Sequence, residues 1–404
     1  MSTVDCLRPG TAADRVDGEV PPQVAEPDSP EAFAAVLAHA SSERLVTVIR
    51  GGGTKLAWGR PPAALDLVVS TTRLTRLIAH RHGDLTVTVQ AGMMLRDLNV
   101  SLSAERQWLP IDSAFSDATI GGIVATNDSG PSRHRNGTPR DLIIGITLAL
   151  TDGRLVKAGG TVVKNVAGYD LGKLVSGSHG ALAGIADVTF KLVPIPQTSA
   201  TLVASYTDPA ALARDVAALD ASQIEPAAFD VRSEDGEAPL QLKLRVATSP
   251  AARDAQIAAA KALVSGQARI LTDMAERETW AEQIDAPWHG DAAVRFSWLP
   301  AALPQVLGIL SEIRREHNVS VTFAGRVIGA GLLRLSGDTG ALALAVRRLR
   351  ASSDLGHVVL LRGSRALKEM VDVWGPPRSS DGAVRALKQM FDPAGILNAD
   401  RGPL

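Results

Sequence analysis

The chain has 404 residues, 42 basic and 43 acidic side chains, 45% apolar residues and a single cysteine. Its length predicts two or three domains whose cores need no disulfide or metal for stability. The formal charge of −1 argues against nucleic acid and anionic lipid as partners, because both require a clustered basic excess. Because Cys6 stands alone, this chain by itself cannot ligate an iron–sulfur cluster, and we predict no metal site.

The first 30 residues differ from the rest of the chain. They are polar and rich in proline, a composition that cannot offset the entropy of ordering, so residues 1–30 are predicted to be a mobile leader. They lack the charged flank and apolar run of a secretory signal, and no stretch of the chain approaches the roughly 20 apolar residues of a membrane helix. We therefore expect a cytoplasmic protein with no direct membrane insertion, which reaches a membrane only through partners.

Residues 31–197 show the pattern of one α+β domain. The predicted elements, in chain order, are a helix that begins near Pro30, strands at 45–50, 65–70 and 85–90, a helix at 95–103, strands at 142–150 and 154–157, and a strand at 184–193. Asp152-Gly153 between two apolar runs predicts a β-hairpin. The elements do not alternate as in a doubly wound βαβα fold.

Residues 198–385 have a different organisation, in which the order β-α-β-β-α-β occurs twice. The first copy is predicted over 201–271 and the second over 294–361. Two such split βαβ modules form an antiparallel sheet with helices on one face, which suits a cap over a ligand. A last helix is predicted at 382–390. The C-terminal tail, residues 386–404, begins within this helix, and we expect it to return to the first domain.

The residues that carry chemistry concentrate in the first half, beginning with Arg50-Gly51-Gly52-Gly53-Thr54-Lys55. Glycine adopts positive φ without a Cβ penalty, so three glycines after a strand can curl backbone N–H groups into a nest that suits a pyrophosphate. A flexible turn is the alternative. Neither GxxxxGK[ST] nor GxGxxG occurs in the chain, so the P-loop and Rossmann fingerprints are both missing.

Two further segments are rich in small residues. Residues 118–130 combine small apolar residues with Thr, Asn and Ser, so that a cofactor can touch backbone while hydroxyls and amides bind its oxygens. Residues 160–185 are glycine-rich as well, and the alternative for them is a loop and helix that only pack the domain.

Together the three segments resemble the FAD-binding domain of the vanillyl-alcohol oxidase family, the PCMH type. The blocks that match in order and approximate spacing are Arg50-Gly51-Gly52-Gly53-Thr54, Ala118-Thr119-Ile120-Gly121-Gly122, Gly130-Pro131-Ser132-Arg133, Arg140-Asp141-Leu142, Lys164-Asn165-Val166-Ala167-Gly168-Tyr169-Asp170-Leu171 and Asp392-Pro393-Ala394-Gly395-Ile396-Leu397-Asn398. The resemblance covers residues 31–197 and the tail, whereas the cap is similar in layout. Within the family the chain most resembles the E subunits of bacterial glycolate dehydrogenases, also called glycolate oxidases.

The resemblance implies roles for individual residues, with the glycine loop on the FAD pyrophosphate and residues 119–130 along the ribityl chain and flavin. The implied cofactor-binding residues are Arg50, Gly51, Gly52, Gly53, Thr54, Lys55, Asp112, Ser113, Thr119, Ile120, Gly121, Gly122, Thr126, Asn127, Gly130, Gly184 and Ile185. A loop turn competes with cofactor contact for Asp112 and Ser113, and structural capping competes with it for Lys164 and Asn165. Valine at Gly52 or Gly121 is expected to leave the fold intact and abolish flavin binding.

The chain also departs from the family. Some members attach FAD covalently through a histidine of the glycine loop, but Thr54 stands at that place, so we expect non-covalent FAD. Catalytic hydroxy-acid members carry a Gly-His-x-Gly-Asp-Gly-Asn segment in the cap, and nothing similar occurs here. The remaining candidates are weak: His289, His317 and His357 are predicted to lie at the surface or at helix ends, and Arg362, Arg365 and Arg401 to be solvated rather than to clamp a carboxylate.

No catalytic residue can be assigned from the sequence, and three functions stay open. The first is an FAD-binding subunit that passes reducing equivalents from glycolate, or another small 2-hydroxy acid, to a larger FAD-binding catalytic subunit and an iron–sulfur subunit. The second is a non-catalytic assembly subunit of the same complex. The third is a free-standing FAD-dependent oxidoreductase for another alcohol or hydroxy acid.

Overall fold

The computed structural model describes residues 6–161, 170–235 and 239–402. The chain divides into two compact units. The first takes in Met1–Ser129, Gly137–Ile195 and Pro377–Leu404, and the second takes in Gly130–Asn136 and Pro196–Pro376. The division near residue 195 lies close to the predicted boundary at 197. The chain re-enters the first unit at Pro377, before the predicted start of the tail at 386.

A four-stranded sheet opens the first unit. Its strands, with the helix between the second and third, are β1 (Leu7–Pro9), β2 (Gln23–Ala25), α1 (Pro30–Ser42), β3 (Thr47–Arg50) and β4 (Leu67–Ser70), in the sheet order β1-β2-β4-β3. Strands β2 and β3 both run parallel to β4. Helix α1 begins where the Ser29 hydroxyl accepts a hydrogen bond from the Ala32 N–H, and proline at its first position suits a helix N-terminus. Its buried residues Phe33 and Leu37 share a core with Leu397 of the tail.

A five-stranded antiparallel sheet completes the architecture of the first unit. The elements are β5 (Leu77–Arg81), β6 (Thr86–Gln90), α2 (Leu95–Ser103), β7 (Gln107–Trp108), α3 (Ile120–Thr126), then α4 (Arg133–Asn136) in the second unit, α5 (Pro139–Leu142), β8 (Ile143–Ala149), β9 (Leu155–Gly159), α6 (Leu171–Val175), β10 (Gly184–Lys191) and β11 (Val193–Pro194). The strand order is β5-β6-β10-β8-β9, and β7 pairs with β11. The predicted hairpin joins β8 and β9, and Gly153 in its turn has φ +86°.

The expectation of a mobile leader is wrong for residues 6–30. Strands β1 and β2 extend the first sheet, and Val16 and Val24 are fully buried. The carboxylate of Asp14, itself buried, accepts hydrogen bonds from both Arg8 and Arg50 at 2.8 Å. Composition suggested that the entropy of ordering would dominate, but strand pairing and this ion cluster offset it.

The second unit contains the two predicted modules. Its elements are β12 (Thr198–Tyr206), α7 (Pro209–Asp220), β13 (Ala228–Ser233), β14 (Leu240–Thr248), α8 (Pro250–Leu263), β15 (Gln267–Leu271), α9 (Asp273–Asp285), β16 (Ala292–Trp298), α10 (Leu303–His317), β17 (Ser320–Arg326), β18 (Ala330–Ser336), α11 (Thr339–Arg350), β19 (Leu355–Arg362) and α12 (Arg365–Met370). They form one eight-stranded sheet in the order β15-β12-β14-β13-β17-β18-β16-β19. The modules join where β13 pairs antiparallel with β17, at Asp230 and Arg326. The α+β fold class with two split βαβ modules is confirmed.

Helix α9 is an element that the repeat did not predict, and it lies on the polar face of this sheet. Its buried residues are Glu276, Trp280 and Gln283. The Glu276 carboxylate accepts a hydrogen bond from Thr201 of β12 at 2.9 Å, and the Gln283 amide oxygen accepts one from Lys243 of β14 at 3.2 Å. Burial lowers the pKa of Lys243 to about 8. A helix without an apolar stripe packs here because the sheet offers it polar partners.

The chain returns to the first unit through α13 (Asp381–Phe391) and the tail that follows it. Thr47 N–H donates to Ile396 O, and Asn398 N–H donates to Thr47 O, both at 2.8 Å. The Asp392 carboxylate, fully buried, accepts hydrogen bonds from Leu397 N–H at 2.8 Å and from the Lys388 ammonium at 2.5 Å. The tail is therefore held against β3, directly beside the glycine loop.

None of the helices within the described ranges is both long enough and apolar enough to cross a bilayer.

We predict that Asp14→Asn lowers the free energy of unfolding by about 3 kcal/mol at neutral pH, because it leaves two arginines facing a neutral amide in a largely buried site. Bonds from Arg8 above all, with those of Thr11 and Arg50, hold the pKa of Asp14 well below its usual range. The stabilisation is thus complete above the ordinary aspartate pKa of about 3.9 and is lost as the pH falls below it.

Urea unfolding of both proteins at pH 7 and at acid pH measures this effect. The gap between wild type and Asp14→Asn should narrow in acid. The matched control is Asp28→Asn, because Asp28 forms an exposed pair with Arg73 at 3.5 Å and its loss should cost less than about 1 kcal/mol. Equal stability of wild type and Asp14→Asn at pH 7 would contradict the proposed role of the Asp14 cluster.

Candidate cofactor site

A cleft of the first unit lies over the glycine loop that follows β3. It holds about 880 Å³, counting the part open to solvent. The lining residues are Val48, Ile49, Arg50, Gly51, Gly52, Gly53, Thr54, Lys55, Leu56, Trp58, Thr71, Ala91, Thr119, Gly121, Gly122, Ala125, Thr126, His179, Gly180, Ala183, Ile185, Asn398 and Arg401. Three stretches distant in sequence and the tail therefore meet at one place.

The glycines of the loop are needed more for close approach of the backbone to its neighbours than for unusual dihedral angles. Only Gly53 of the three has positive φ, at +75°. A Cβ on Gly51 would lie 2.0 Å from Thr119 Oγ1, and one on Gly52 would lie 1.8 Å from Asp117 O. Gly51 and Gly52 can thus lie against residues 117–119 only because they have no side chain, since no real Cβ approaches an oxygen atom so closely.

This geometry corrects the expectation for valine at Gly52 and Gly121. A Cβ on Gly121 would lie 2.9 Å from Ala91 Cβ, so both substitutions push against the protein itself. They would disturb packing before they reached a cofactor, and an intact fold is not the expected result.

Helix α3 forms the opposite wall of the cleft. Thr119 caps it by accepting a hydrogen bond from Gly122 N–H at 3.4 Å, and Gly121 N–H donates to Ala91 O at 2.7 Å. Thr126 Oγ1 donates to Gly122 O at 2.8 Å. The helix ends at Asn127, which adopts the left-handed conformation common at helix C-termini.

Charged side chains lie at both ends of the glycine loop. Arg50, before it, is held by Asp14 as described above. Lys55, after it, has its ammonium 3.0 Å from the Asp128 carboxylate, which also accepts a hydrogen bond from Ser113 Oγ at 3.0 Å. Among the described residues that line the cleft are three basic side chains, Arg50, Lys55 and Arg401, and no carboxylate. The lining therefore favours an anionic ligand.

The tail and the loop at 176–183 close the remaining side. The Asn398 side-chain amide donates to His179 O. Arg401 donates to the Leu56 and Trp58 carbonyl oxygens at 2.5 and 3.0 Å, and burial lowers its pKa to about 10, so it stays charged at neutral pH. The expectation that Arg401 is solvated is wrong. Its carbonyl partners lie 345 and 343 residues away, and no local sequence pattern indicates contacts over such a separation.

Most of the residues that the resemblance implied lie in the cleft wall. Those that line it are Arg50, Gly51, Gly52, Gly53, Thr54, Lys55, Thr119, Gly121, Gly122, Thr126 and Ile185. Lys164 and Asn165 lie outside the described residues, so their two alternatives stay predictions.

Six implied residues are not part of the lining, and four of them have defined contacts elsewhere in the protein. Ile120 is fully buried in the core, Asn127 ends α3 and accepts from Arg140 N–H, and Ser113 bonds Asp128. Half-buried Asp112 precedes Ser113, and Gly130 opens the segment of the second unit. A Cβ on Gly184 would lie 2.4 Å from Phe33 Cζ, so this glycine makes room for α1.

Sequence reasoning missed several lining residues, among them Trp58, Ala91, His179 and Asn398. Each stands alone in sequence, without a motif around it that specifies a ligand. His179 has a positive φ of +54°, which is uncommon for a histidine, but this angle is visible only in the structure. The histidines that sequence pointed to behave as expected where the contacts are defined: His289 is exposed and pairs with Asp285.

Comparison with known proteins agrees with this geometry. Residues 21–159 match the family described as FAD binding domain. The chain is 33% identical to glycolate oxidase subunit GlcD of Bacillus subtilis, over 52% of this chain and 45% of that protein, and 32% identical to subunit GlcE of Escherichia coli, over 44% and 51%. It is 28% identical to D-2-hydroxyglutarate dehydrogenase of Xanthomonas citri, over 94% and 88%. A solved alkyldihydroxyacetonephosphate synthase shares the fold, with a TM-score of 0.69 at 15% identity over 94% of this chain and 76% of that one.

The first unit therefore carries an FAD binding domain of the PCMH type, and FAD is its cofactor. The residues fit this assignment: the loop is bare of side chains where a pyrophosphate needs backbone N–H groups, and the lining is cationic. The match spans only about half the length of either glycolate oxidase subunit. Bound FAD supplies hydride chemistry, while the chain supplies binding and orientation.

We predict that Gly184→Ala lowers the free energy of unfolding by about 1–3 kcal/mol, because the added methyl group overpacks against the fully buried Phe33 ring. Adding Phe33→Leu should remove part of this cost, giving a coupling free energy of about 0.5–3 kcal/mol in a double-mutant cycle.

Denaturant unfolding of the four proteins measures the coupling, and titration with FAD reports the cleft. Folded Gly184→Ala should bind FAD as wild type does, because position 184 is not part of the lining. Additive destabilisation combined with lost FAD affinity would instead assign Gly184 to the cofactor site.

Proposed function

We propose that this chain is the FAD-binding subunit of a complex that oxidises a small 2-hydroxy acid, with glycolate as the first candidate. The observation that carries the proposal is the cleft itself, in which the glycine loop, α3, the 176–185 segment and the tail surround a space lined, among the described residues, by basic side chains and no carboxylate. Its relatives support the substrate class, since they are glycolate oxidase subunits, D-lactate dehydrogenases and a D-2-hydroxyglutarate dehydrogenase.

The residues of the cleft have distinct tasks in this proposal. Backbone N–H groups of Gly51, Gly52 and Gly53 bind the pyrophosphate, each such bond to a charged group contributing roughly 1.5–3 kcal/mol. Thr54 stands where a histidine would form a covalent link, and a threonine hydroxyl has no imidazole nucleophile. Asn398 and Arg401 fix the far side of the cleft through the tail.

Two features of this chain support a function as one subunit of a complex. The Gly-His-x-Gly-Asp-Gly-Asn segment is missing from the sequence. With a single cysteine, transfer of electrons to iron–sulfur clusters requires another chain. We therefore propose a larger FAD-binding subunit and an iron–sulfur subunit as partners.

The E-subunit assignment is part of the proposal, because the identities to GlcD and GlcE, 33% and 32%, are equal in practice. A second candidate is a free-standing FAD-dependent 2-hydroxy-acid dehydrogenase. It is favoured by the similarity to D-2-hydroxyglutarate dehydrogenase, which extends over both units of this chain. A purely structural assembly subunit is the third.

The purified chain should be yellow, with flavin that leaves the protein on acid precipitation, because Thr54 offers no attachment site. Absorbance of supernatant and washed pellet measures this, with fluorescence of a denaturing gel as the control for a trace of covalent flavin. Flavin that stays in the pellet would reject non-covalent binding.

A dye-reduction assay distinguishes the proposed subunit role from that of a free-standing enzyme. The isolated chain should reduce a dye slowly or not at all with glycolate, D-lactate or D-2-hydroxyglutarate, and glycolate-dependent reduction should appear when the two partner subunits are added. A mixture without this chain is the control. Full-rate reduction by the isolated chain would reject the subunit role in favour of the free-standing dehydrogenase. If the complete mixture reduces the dye at the same rate whether or not this chain carries FAD, the result would favour the assembly subunit.

A further inference from the structure

We propose that Lys55 is a cofactor-binding cation whose ammonium donates to an anionic oxygen of bound FAD, with Asp128 as its permanent counterion. The inference deepens the proposed function and rests on its FAD cleft. It does not depend on which hydroxy acid is oxidised.

The burial of Lys55 is unusual for a lysine. Its side chain is only 6% exposed, and that of Asp128 is 11% exposed. Lysine is almost never so deeply buried unless it is paired, because its ammonium loses hydration that must be replaced. The Asp128 carboxylate, 3.0 Å away, supplies opposite charge and is itself fixed by Ser113.

The pairing leaves the hydrogen-bonding capacity of Lys55 unfilled. An ammonium carries three donors, and among the described residues none accepts from Lys55 Nζ with hydrogen-bond geometry. The rings of Phe115 and Trp58 lie 5.1 and 5.8 Å from the nitrogen. They stabilise a cation but offer no oxygen. A buried group of this kind needs an acceptor, and Lys55 lines the cleft where one would bind.

The charges around the cleft indicate which acceptor fits. Arg50 and Lys55 each have a carboxylate partner, Asp14 and Asp128, and neither carboxylate lines the cleft. Arg50 also has a hydrogen-bond acceptor in Asp14, whereas the Lys55 ammonium has none among the described residues. The part of the wall formed by Lys55 is therefore a cation facing a cavity without carboxylates. FAD offers two kinds of anionic oxygen: the pyrophosphate, which is always charged, and the reduced isoalloxazine, which gains charge only on reduction. Both satisfy the same donor.

The experiment compares Lys55→Met, the conservative Lys55→Arg and the charge-free double variant Lys55→Met/Asp128→Asn in the full chain. Lys157→Met, an exposed lysine on β9 outside the cleft, is the matched control. Removal of a buried charge partner can destabilise the fold. The double variant guards against this because it leaves no unpaired carboxylate.

Two quantities are measured: the dissociation constant of FAD and the midpoint potential of bound flavin. If the partner is the pyrophosphate, Lys55→Met and the double variant weaken FAD roughly 10- to 100-fold, weaken ADP by the same factor, and leave the potential unchanged. If the partner is the reduced ring, affinity for oxidised FAD stays near wild type and the potential falls by about 30 mV per tenfold loss of selectivity for reduced flavin. Lys55→Arg should recover part of either loss.

A folded double variant with wild-type FAD affinity and potential would overturn the role of Lys55. The wild-type chain is titrated with FAD first. If it binds FAD, failure of the Lys55 proposal is distinguished from failure of the proposed function. A wild-type chain that bound no FAD would overturn both.

Discussion

The close contact between the glycine loop and residues 117–119 is the constraint on which the cofactor site depends. Positions 51 and 52 admit no Cβ, because Thr119 Oγ1 and Asp117 O occupy that space. Without the contact, β3 and α3 could not form two walls of one narrow cleft. The glycines thus act through packing as much as through donors, which distinguishes this loop from a flexible turn.

The loop is held from both flanks by parts of the chain distant in sequence. Asp14 binds Arg50 from the N-terminal side, and the tail forms backbone hydrogen bonds with Thr47 and carries Arg401 to the Leu56 carbonyl. Such preorganisation lowers the entropy that a ligand must remove on binding. The first and last described segments of the chain therefore hold the glycine loop in place without being part of a glycine motif.

The second unit uses polar burial differently. Helix α9 covers polar side chains of its sheet through Glu276 and Gln283, which pair with Thr201, Arg245 and Lys243. In the first unit, Lys55 pairs with Asp128, but its ammonium has no hydrogen-bond acceptor among the described residues, and it lines the cleft. A ligand can satisfy a buried donor that lines a cleft.

The sequence by itself determined the periodic features: the double β-α-β-β-α-β order, the hairpin at Asp152-Gly153 and the ordered glycine-rich blocks of an FAD domain, because each depends on neighbouring residues. It could not locate Trp58, His179 or Arg401 in the cleft, nor recognise that residues 7–25 are ordered, since pairing across long separations leaves no local pattern. Only the tertiary structure decided which glycines make contacts and which lysine lacks an acceptor. Close approach and burial are properties of the folded chain, set by atoms that the sequence separates by hundreds of residues.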